Sequence, residues 1–265
     1  MSGDEVFVTI ISAAVALSGW AVLYARWRHF SVFQLPHGAA VLLLLLLPVS
    51  TALLYWLLRT MASHDVREDW RYLVQYSAMG LAWIRIASRI FFPGISLRDD
   101  FFERRNASAA FAFAGFTLAS LFCFGGGNIG DGPGWWVVVF CAMIATVGLW
   151  ATWIAAAFST RVVDFITIER EPAVGLRLAG FLVGCGLILG RAVAGDWVSL
   201  DATFVDFVGK AWPVLILLAL FIISERFAKP RYHRDEQFII GRGIFPALLY
   251  ITLGLVAVLA QGRIE

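Results

Sequence analysis

Seven apolar runs separated by short polar connections dominate this chain, at residues 5–25, 37–58, 107–127, 134–158, 172–193, 211–224 and 244–260. A helix rises about 1.5 Å per residue, so about 20 apolar residues span the roughly 30 Å hydrocarbon core of a bilayer. Lipid offers peptide groups no hydrogen-bonding partner, and a helix satisfies its own N–H and C=O groups. A soluble fold is excluded by composition: 60% of the residues are hydrophobic and only 15% are charged, against roughly 45–50% and about 25% in soluble domains. The expected fold class is an all-α, polytopic membrane protein forming a single transmembrane domain over 1–265.

Segment 70–92 decides the topology. Its uninterrupted apolar stretch is short, and it carries Gln75, Arg85 and Arg89. The connection 26–36 holds Arg26 and Arg28; 93–106 holds Arg98, Arg104 and Arg105; 159–171 holds Arg161 and Arg170. The connection 225–243 adds Arg226, Lys229, Arg231, Arg234 and Arg242. The alternate connections are poor in positive charge: 125–134 reads GGGNIGDGPG, and 194–210 sets Asp196, Asp201 and Asp206 against Lys210. Cytoplasmic connections carry the excess Lys and Arg. All four basic connections lie on one side only if 70–92 crosses the membrane, with Arg85 and Arg89 snorkelling to the cytoplasmic surface. That gives eight transmembrane helices in a bacterial inner membrane with both termini periplasmic. Arg59, Arg67 and Arg71 in the external connection 59–71 oppose this count, offset by Asp65, Glu68 and Asp69. The leading Met-Ser-Gly-Asp-Glu is acidic, whereas a cleavable signal peptide begins basic.

An internal repeat supports the count. At an offset of 65, Ala114-Gly115-Phe116 falls on Ala179-Gly180-Phe181, Gly125 on Gly190, and Gly130-Asp131 on Gly195-Asp196. Phe158-Ser159-Thr160-Arg161 falls on Ile223-Ser224-Glu225-Arg226. The starts near 37, 106, 171 and 243 extend the period to 65–72 residues over four helix pairs, best supported across 100–225.

The stretches Asn106 to Phe116 and Glu171 to Phe181 pair a polar connection with an Ala-rich helix carrying an Ala-Gly step. In this the chain resembles the YjfL-like family of bacterial inner-membrane proteins. The second copy departs from the pattern, with Glu171-Pro172 in place of Asn and a small residue. The resemblance implies a partner-bearing membrane subunit in an envelope-stress setting, and it identifies no reaction.

Three sets of residues invite a role: small-residue stripes, charges near the membrane and a glycine-rich turn. Ala110, Ala114, Gly115 and Ala119, then Gly175, Ala179, Gly180 and Gly184, form small-xxx-small stripes, and Gly186 with Gly190 adds another. Such stripes let helix backbones approach, within one subunit or across an oligomer seam. Arg177 lies about one and a half turns into its run. It either snorkels or meets a lipid phosphate, an anion or a neighbouring helix. Arg191 and Asp196 form a local ion pair or part of an external entrance. The glycine-rich turn 125–134, followed by Trp135 and Trp136, is a flexible hairpin or a docking loop.

Other chemistries are disfavoured. No Asp, Glu, Lys or His falls near the middle of a clear run, where a proton relay would need one. His29, His37, His64 and His233 sit at run ends or in connections, unsuited to a haem between helices. Cys123, Cys141 and Cys185 lie inside apolar runs without metal-ligand spacing. Lys210 is too near the surface for a retinal lysine. Thr117, Ser120, Thr146 and Thr152 suit bonds to their own helices. Catalytic, cofactor and metal sites are therefore not expected, nor is nucleic-acid binding, at a net charge of +2 spread over connections. The expected function is a non-catalytic membrane subunit that assembles in the bilayer with itself or another membrane subunit; the alternative is a passive channel or transporter.

Overall fold

A computed structural model describes residues 1–29, 37–227 and 239–262. Lys229, Arg231, Arg234 and His233 lie outside the described residues, so the charge assigned to that connection rests on sequence alone. The described chain is all-helical. Its helices are α1 (Gly3–His29), α2 (His37–Met61), α3 (His64–Glu68), α4 (Trp70–Ile90), α5 (Ala107–Gly126), α6 (Trp135–Ser159), α7 (Val162–Thr167), α8 (Pro172–Ala192), α9 (Leu200–Ala211), α10 (Pro213–Phe227) and α11 (Phe245–Ala260). π-Helical turns at Leu97–Glu103 and Ile240–Ile244 precede α5 and α11.

Six helices, α1, α2, α5, α6, α8 and α11, are long and apolar enough to cross a membrane. The pair α9 and α10, bent by 40°, makes a seventh when taken as one broken span. The chain is a multi-pass helical membrane protein. The connection expected over 194–210 is helical from Leu200 onward. Ser199 Oγ caps α9 by accepting the Ala202 N–H at 3.1 Å, and Pro213, which lacks an N–H, coincides with the break before α10. At its other end α10 runs on to Phe227, so Glu225 and Arg226 belong to a helix rather than to the following connection.

Four helices form an inner row in the order α2, α5, α8, α11, running in the same direction. Leu57 near the end of α2 meets Gly125 near the end of α5. Gly115 and Gly126 of α5 lie against Ala179 and Gly190 of α8, and Gly180 and Gly184 of α8 against Ala247 and Tyr250 of α11. Helices α1, α4, α6 and α9–α10 run the opposite way. Gly19 of α1 meets Arg85 of α4. Trp83 of α4 donates its indole N–H to Thr146 Oγ1 of α6 at 3.0 Å, and Arg226 of α10 donates to the Ser159 carbonyl of α6 at 3.4 Å.

Helix α4 is the polar member. The Asp69 carboxylate caps it by accepting the Arg71 N–H at 2.9 Å. Leu73, Tyr76, Met79, Ala82, Ile84 and Ala87 turn inward, while Trp70, Ile86 and Ile90 stay exposed. Arg85 does not snorkel. Its guanidinium lies over Trp20 and Phe113, 5.2 and 5.9 Å from the ring centroids, where the aromatic faces attract the cation.

Two turns repeat the same backbone geometry 65 residues apart. Arg104 and Glu169 donate their N–H groups to Asp99 and Asp164 carbonyls, both at 3.1 Å. Asn106 and Glu171 donate to Asp100 and Phe165 carbonyls at 3.1 and 3.0 Å. Between them, Arg105 and Arg170 have φ of 54° and 55°, a left-handed conformation that glycine adopts at far lower cost. The three cysteines are buried and free.

Candidate functional site

The arginine-rich end of the bundle, where α5, α8 and α11 begin, holds a buried ion pair. Arg177 of α8 and Glu225 of α10 are each 5% exposed. The Arg177 Nε donates to Glu225 Oε1 at 2.5 Å and Nη2 to Oε2 at 2.9 Å, a bidentate pair. Nη1 donates to the Arg242 carbonyl, at 2.7 Å, in the turn before α11. One guanidinium therefore ties α8 to α10 and to the turn that leads into α11. Below it, Phe181 and Phe221 stack with centroids 4.3 Å apart, and Tyr250 closes edge-on. Tyr250 Oη shares a 2.6 Å hydrogen bond with Ser224 Oγ. The snorkelling alternative for Arg177 is thereby set aside. The neighbouring-helix alternative describes its surroundings.

Glu171, the residue before α8, lies near this pair. Burial pushes its carboxyl above the ordinary carboxylate range; Arg177 opposes the shift and Glu225 adds to it. Its backbone carbonyl accepts Ser108 Oγ–H at 2.7 Å, which links the starts of α5 and α8. Asn106 is buried here too: its Oδ1 caps α5 through the N–H groups of Ser108 and Ala109, and its Nδ2 donates to the Ile166 carbonyl.

At the opposite end the two glycine-aspartate turns meet. Gly195 N–H donates to the Ile129 carbonyl at 2.9 Å, Trp197 N–H to the Asp131 carbonyl at 2.8 Å, and Asp131 N–H to Asp196 Oδ1 at 2.7 Å. Gly130 (φ +104°) and Gly195 (φ +145°) permit this, because a Cβ on Gly130 would strike the Gly195 carbonyl. The turns line an open cavity of about 60 Å³ whose wall includes Tyr76, Asn128, Asp131, Asp196, Trp197 and Thr203. Asn128 is 5% exposed. Its Nδ2 donates to the Phe124 carbonyl at 2.8 Å, while Oδ1 has no hydrogen-bond partner among the described residues.

The expected Arg191–Asp196 pair is not formed. Helix α8 ends at Ala192 and the chain turns away. Asp196 serves the facing turn, and Arg191 donates to the Gln261 and Gly262 carbonyls at the end of α11, at 3.5 and 3.3 Å. The small-residue stripes meet each other inside the chain. Besides the contacts above, Gly175 faces Ser108 and Gly186 faces Ala119. Ala110, Ala114, Ala119, Gly180 and Gly184 are buried, and Ala179, against Gly115, is partly buried. Thr117, Ser120 and Thr152 bond to carbonyls one turn back in their own helices, whereas Thr146 takes the bond from Trp83.

Sequence reading missed Glu225 because it follows directly on the apolar run. A buried arginine demands a carboxylate at its own depth, and that was the available signal. It named Gln75 only as a polar interruption of 70–92; the side chain is 0% exposed in α4, with neither amide atom hydrogen-bonded among the described residues. Among the described residues no three His, Cys, Asp or Glu side chains are grouped to hold a metal ion. Comparison with protein-family models, curated proteins and solved structures finds no match.

Proposed function

We propose that this chain is a non-catalytic subunit of a bacterial inner membrane, as its resemblance to the YjfL-like family implies, with eight spans in four repeated pairs and both termini periplasmic. The observation that carries the reading is how the α5–α8–α11 row is filled. Glycines set backbone against backbone along it, and the Arg177 guanidinium pins its end. Helices in such contact leave no passage between them and no room for a substrate. The surfaces left over are the apolar outer faces of α1, α2, α9, α10 and α11, which suit lipid and other membrane helices. Assembly is assigned to these outer faces, since the small-residue stripes are occupied within the chain.

Eight spans are supported by the 21-residue length of α4 and by its course, which carries the chain back between the parallel helices α2 and α5. The repeated pairs are supported by the matched turns at Arg105 and Arg170. Periplasmic termini follow from the concentration of arginine at the opposite end.

A second reading, passive transport, is favoured by Gln75. A fully buried amide in α4 with no hydrogen-bond partner among the described residues is out of place in a purely structural helix. Its path would follow α4 rather than the filled row. The deciding experiment is purification from the native membrane in mild detergent, with mass spectrometry of what co-elutes and a particle mass. A stoichiometric partner or defined oligomer supports the subunit. A monomer that passes ions or solutes in liposomes, with flux altered by Gln75→Leu, replaces it with the transporter.

A further inference from the structure

We propose that the adjoining ends of α6 and α10 form a binding site for the headgroup of an anionic phospholipid. The inference needs a chain that spans a membrane; it does not rest on the subunit reading.

Two phenylalanines are the starting point. Phe158, next to last in α6, is 87% exposed, and Phe227, the last residue of α10, is 82% exposed. They are the two most exposed large hydrophobic side chains among the described residues. A single hydrogen bond joins the chain beside both of them: Arg226 Nη2 donates to the Ser159 carbonyl at 3.4 Å. Apolar side chains next to arginine at the end of a span lie where headgroups give way to acyl chains. Toward the middle of the membrane Trp150 of α6 and Leu220 of α10 stay exposed, so apolar surface for acyl chains continues from that depth.

Charge at the same place is out of balance. Arg161 stands two residues beyond α6, and its Nε donates to Asp164 Oδ2 at 3.3 Å. The two side chains are 72% and 46% exposed, and a pair so open to solvent is weak. Arg226 forms no ion pair among the described residues and commits one N–H to the Ser159 carbonyl. Its neighbour Glu225 is held by Arg177. A guanidinium carries five N–H donors in a fixed fork. Two arginines set against one aspartate leave positive charge and unused donors, which match the free oxygens of a phosphate diester.

The duplication builds this patch from two copies of one element. At an offset of 65, Phe158 falls on Ile223, also exposed, and Arg161 on Arg226. Helices α6 and α10 are packed neighbours, so the copies lie side by side. Elsewhere at this end Arg98 is paired with Glu103 and Arg104 with Asp100. Basic residues alone mark the orientation of the chain. Uncompensated arginine beside exposed phenylalanine marks a lipid site. Inorganic phosphate shares the headgroup chemistry but has nothing to offer the two rings.

The test uses the full chain, purified in a neutral detergent and washed free of bound lipid. Phosphatidylglycerol and phosphatidylcholine with the same acyl chains are titrated separately, and inorganic phosphate in a third series. Phosphatidylglycerol should raise the unfolding midpoint saturably, because a ligand of the folded state stabilises it, and should stay bound in native mass spectrometry. Phosphatidylcholine should require at least tenfold more, and phosphate should give no saturable rise. Arg161→Gln with Arg226→Gln should raise the half-saturating phosphatidylglycerol concentration at least tenfold. Arg89→Gln with Arg98→Gln removes the same charge from other elements at this end and should change it less than twofold. If the first double variant fails to fold, Arg226→Gln alone is measured, with at least a threefold rise expected. No response to phosphatidylglycerol, equal responses to the two lipids, or equal losses in the two double variants overturn the proposal. A saturable response to phosphate alone overturns it in favour of a free anion.

Discussion

Ala112 of α5 and Arg177 of α8 stand 65 residues apart, as do Thr160 and Glu225. Where the second half of the molecule buries a bidentate ion pair, the first has a methyl group and a hydroxyl that bonds one turn back to the Ala156 carbonyl. Asn106 caps α5 with its side chain, whereas Glu171 makes no such bond and α8 starts on Pro172. The two turns nevertheless follow one hydrogen-bonding pattern, down to a left-handed arginine in each. The comparison separates what holds the frame from what is mounted on it. Glycine contacts and turn geometry recur, and the buried bidentate pair belongs to one half only.

The largest expected effect comes from attacking the shared frame. Gly115→Leu or Gly180→Leu drives a side chain into the backbone of α8 or α11, where no neighbouring side chain can yield. Overpacking of this kind costs upward of about 3 kcal/mol. Loss of folded protein on size-exclusion chromatography is expected for both, and wild-type behaviour of either would break the account of the row.

The ion pair provides the sharper contrast. Glu225→Ala strands a buried guanidinium and should destabilise by roughly 3–5 kcal/mol, while replacing both partners with apolar residues should recover most of the loss. The informative double variant is Arg177→Ala with Glu225→Thr, which copies the first half. Thermal unfolding close to wild type would show that the frame needs no charge there; a loss as large as that of Glu225→Ala would show that α8 and α10 depend on it.

The left-handed arginines predict a gain. Arg105→Gly relieves backbone crowding and should raise stability by about 1 kcal/mol, less what glycine adds to the freedom of the unfolded chain. In Arg170→Gly the gain is offset by loss of the bond that Arg170 donates to the Arg104 carbonyl at 3.2 Å. A loss in both variants would assign these side chains a stabilising contact that outweighs the strain.

The smallest effect is a pH dependence. Glu171 holds its proton more tightly folded than unfolded. The folded state is therefore favoured below the ordinary carboxylate range, and that contribution disappears as pH rises through the raised value. Glu171→Gln should flatten this part of the stability profile and leave the protein slightly more stable at neutral pH. An unchanged slope would remove Glu171 from the buried network.

Much of the frame was legible in the sequence. The apolar runs located the long helices because lipid leaves a peptide chain little alternative, and the small-residue stripes marked where helices touch. Which helices they join was not legible, because Gly180 faces Ala247 only once the whole row is assembled. Helix α9 escaped because Asp201 and Asp206 gave 194–210 the look of a loop, although Ser199 supplies a helix start. Arg191 and Asp196 appeared paired by proximity along the chain, which says nothing of the turn between them. Arg85 was read as reaching for water when aromatic rings were closer. Glu225 and Asn128 were passed over because one polar residue at the edge of an apolar run looks like the end of the run.

The burial of Cys123, Cys141 and Cys185 has a practical consequence. Thiol reagents reach only exposed, ionisable sulfur, so the native protein should remain dark to a polar maleimide. Cysteines introduced singly at residues 65, 98, 131 and 164 then report on which face of a sealed vesicle each lies, with no need to strip the native thiols first. Labelling of the unaltered chain, if it appears under some condition, marks the moment the helix row comes apart.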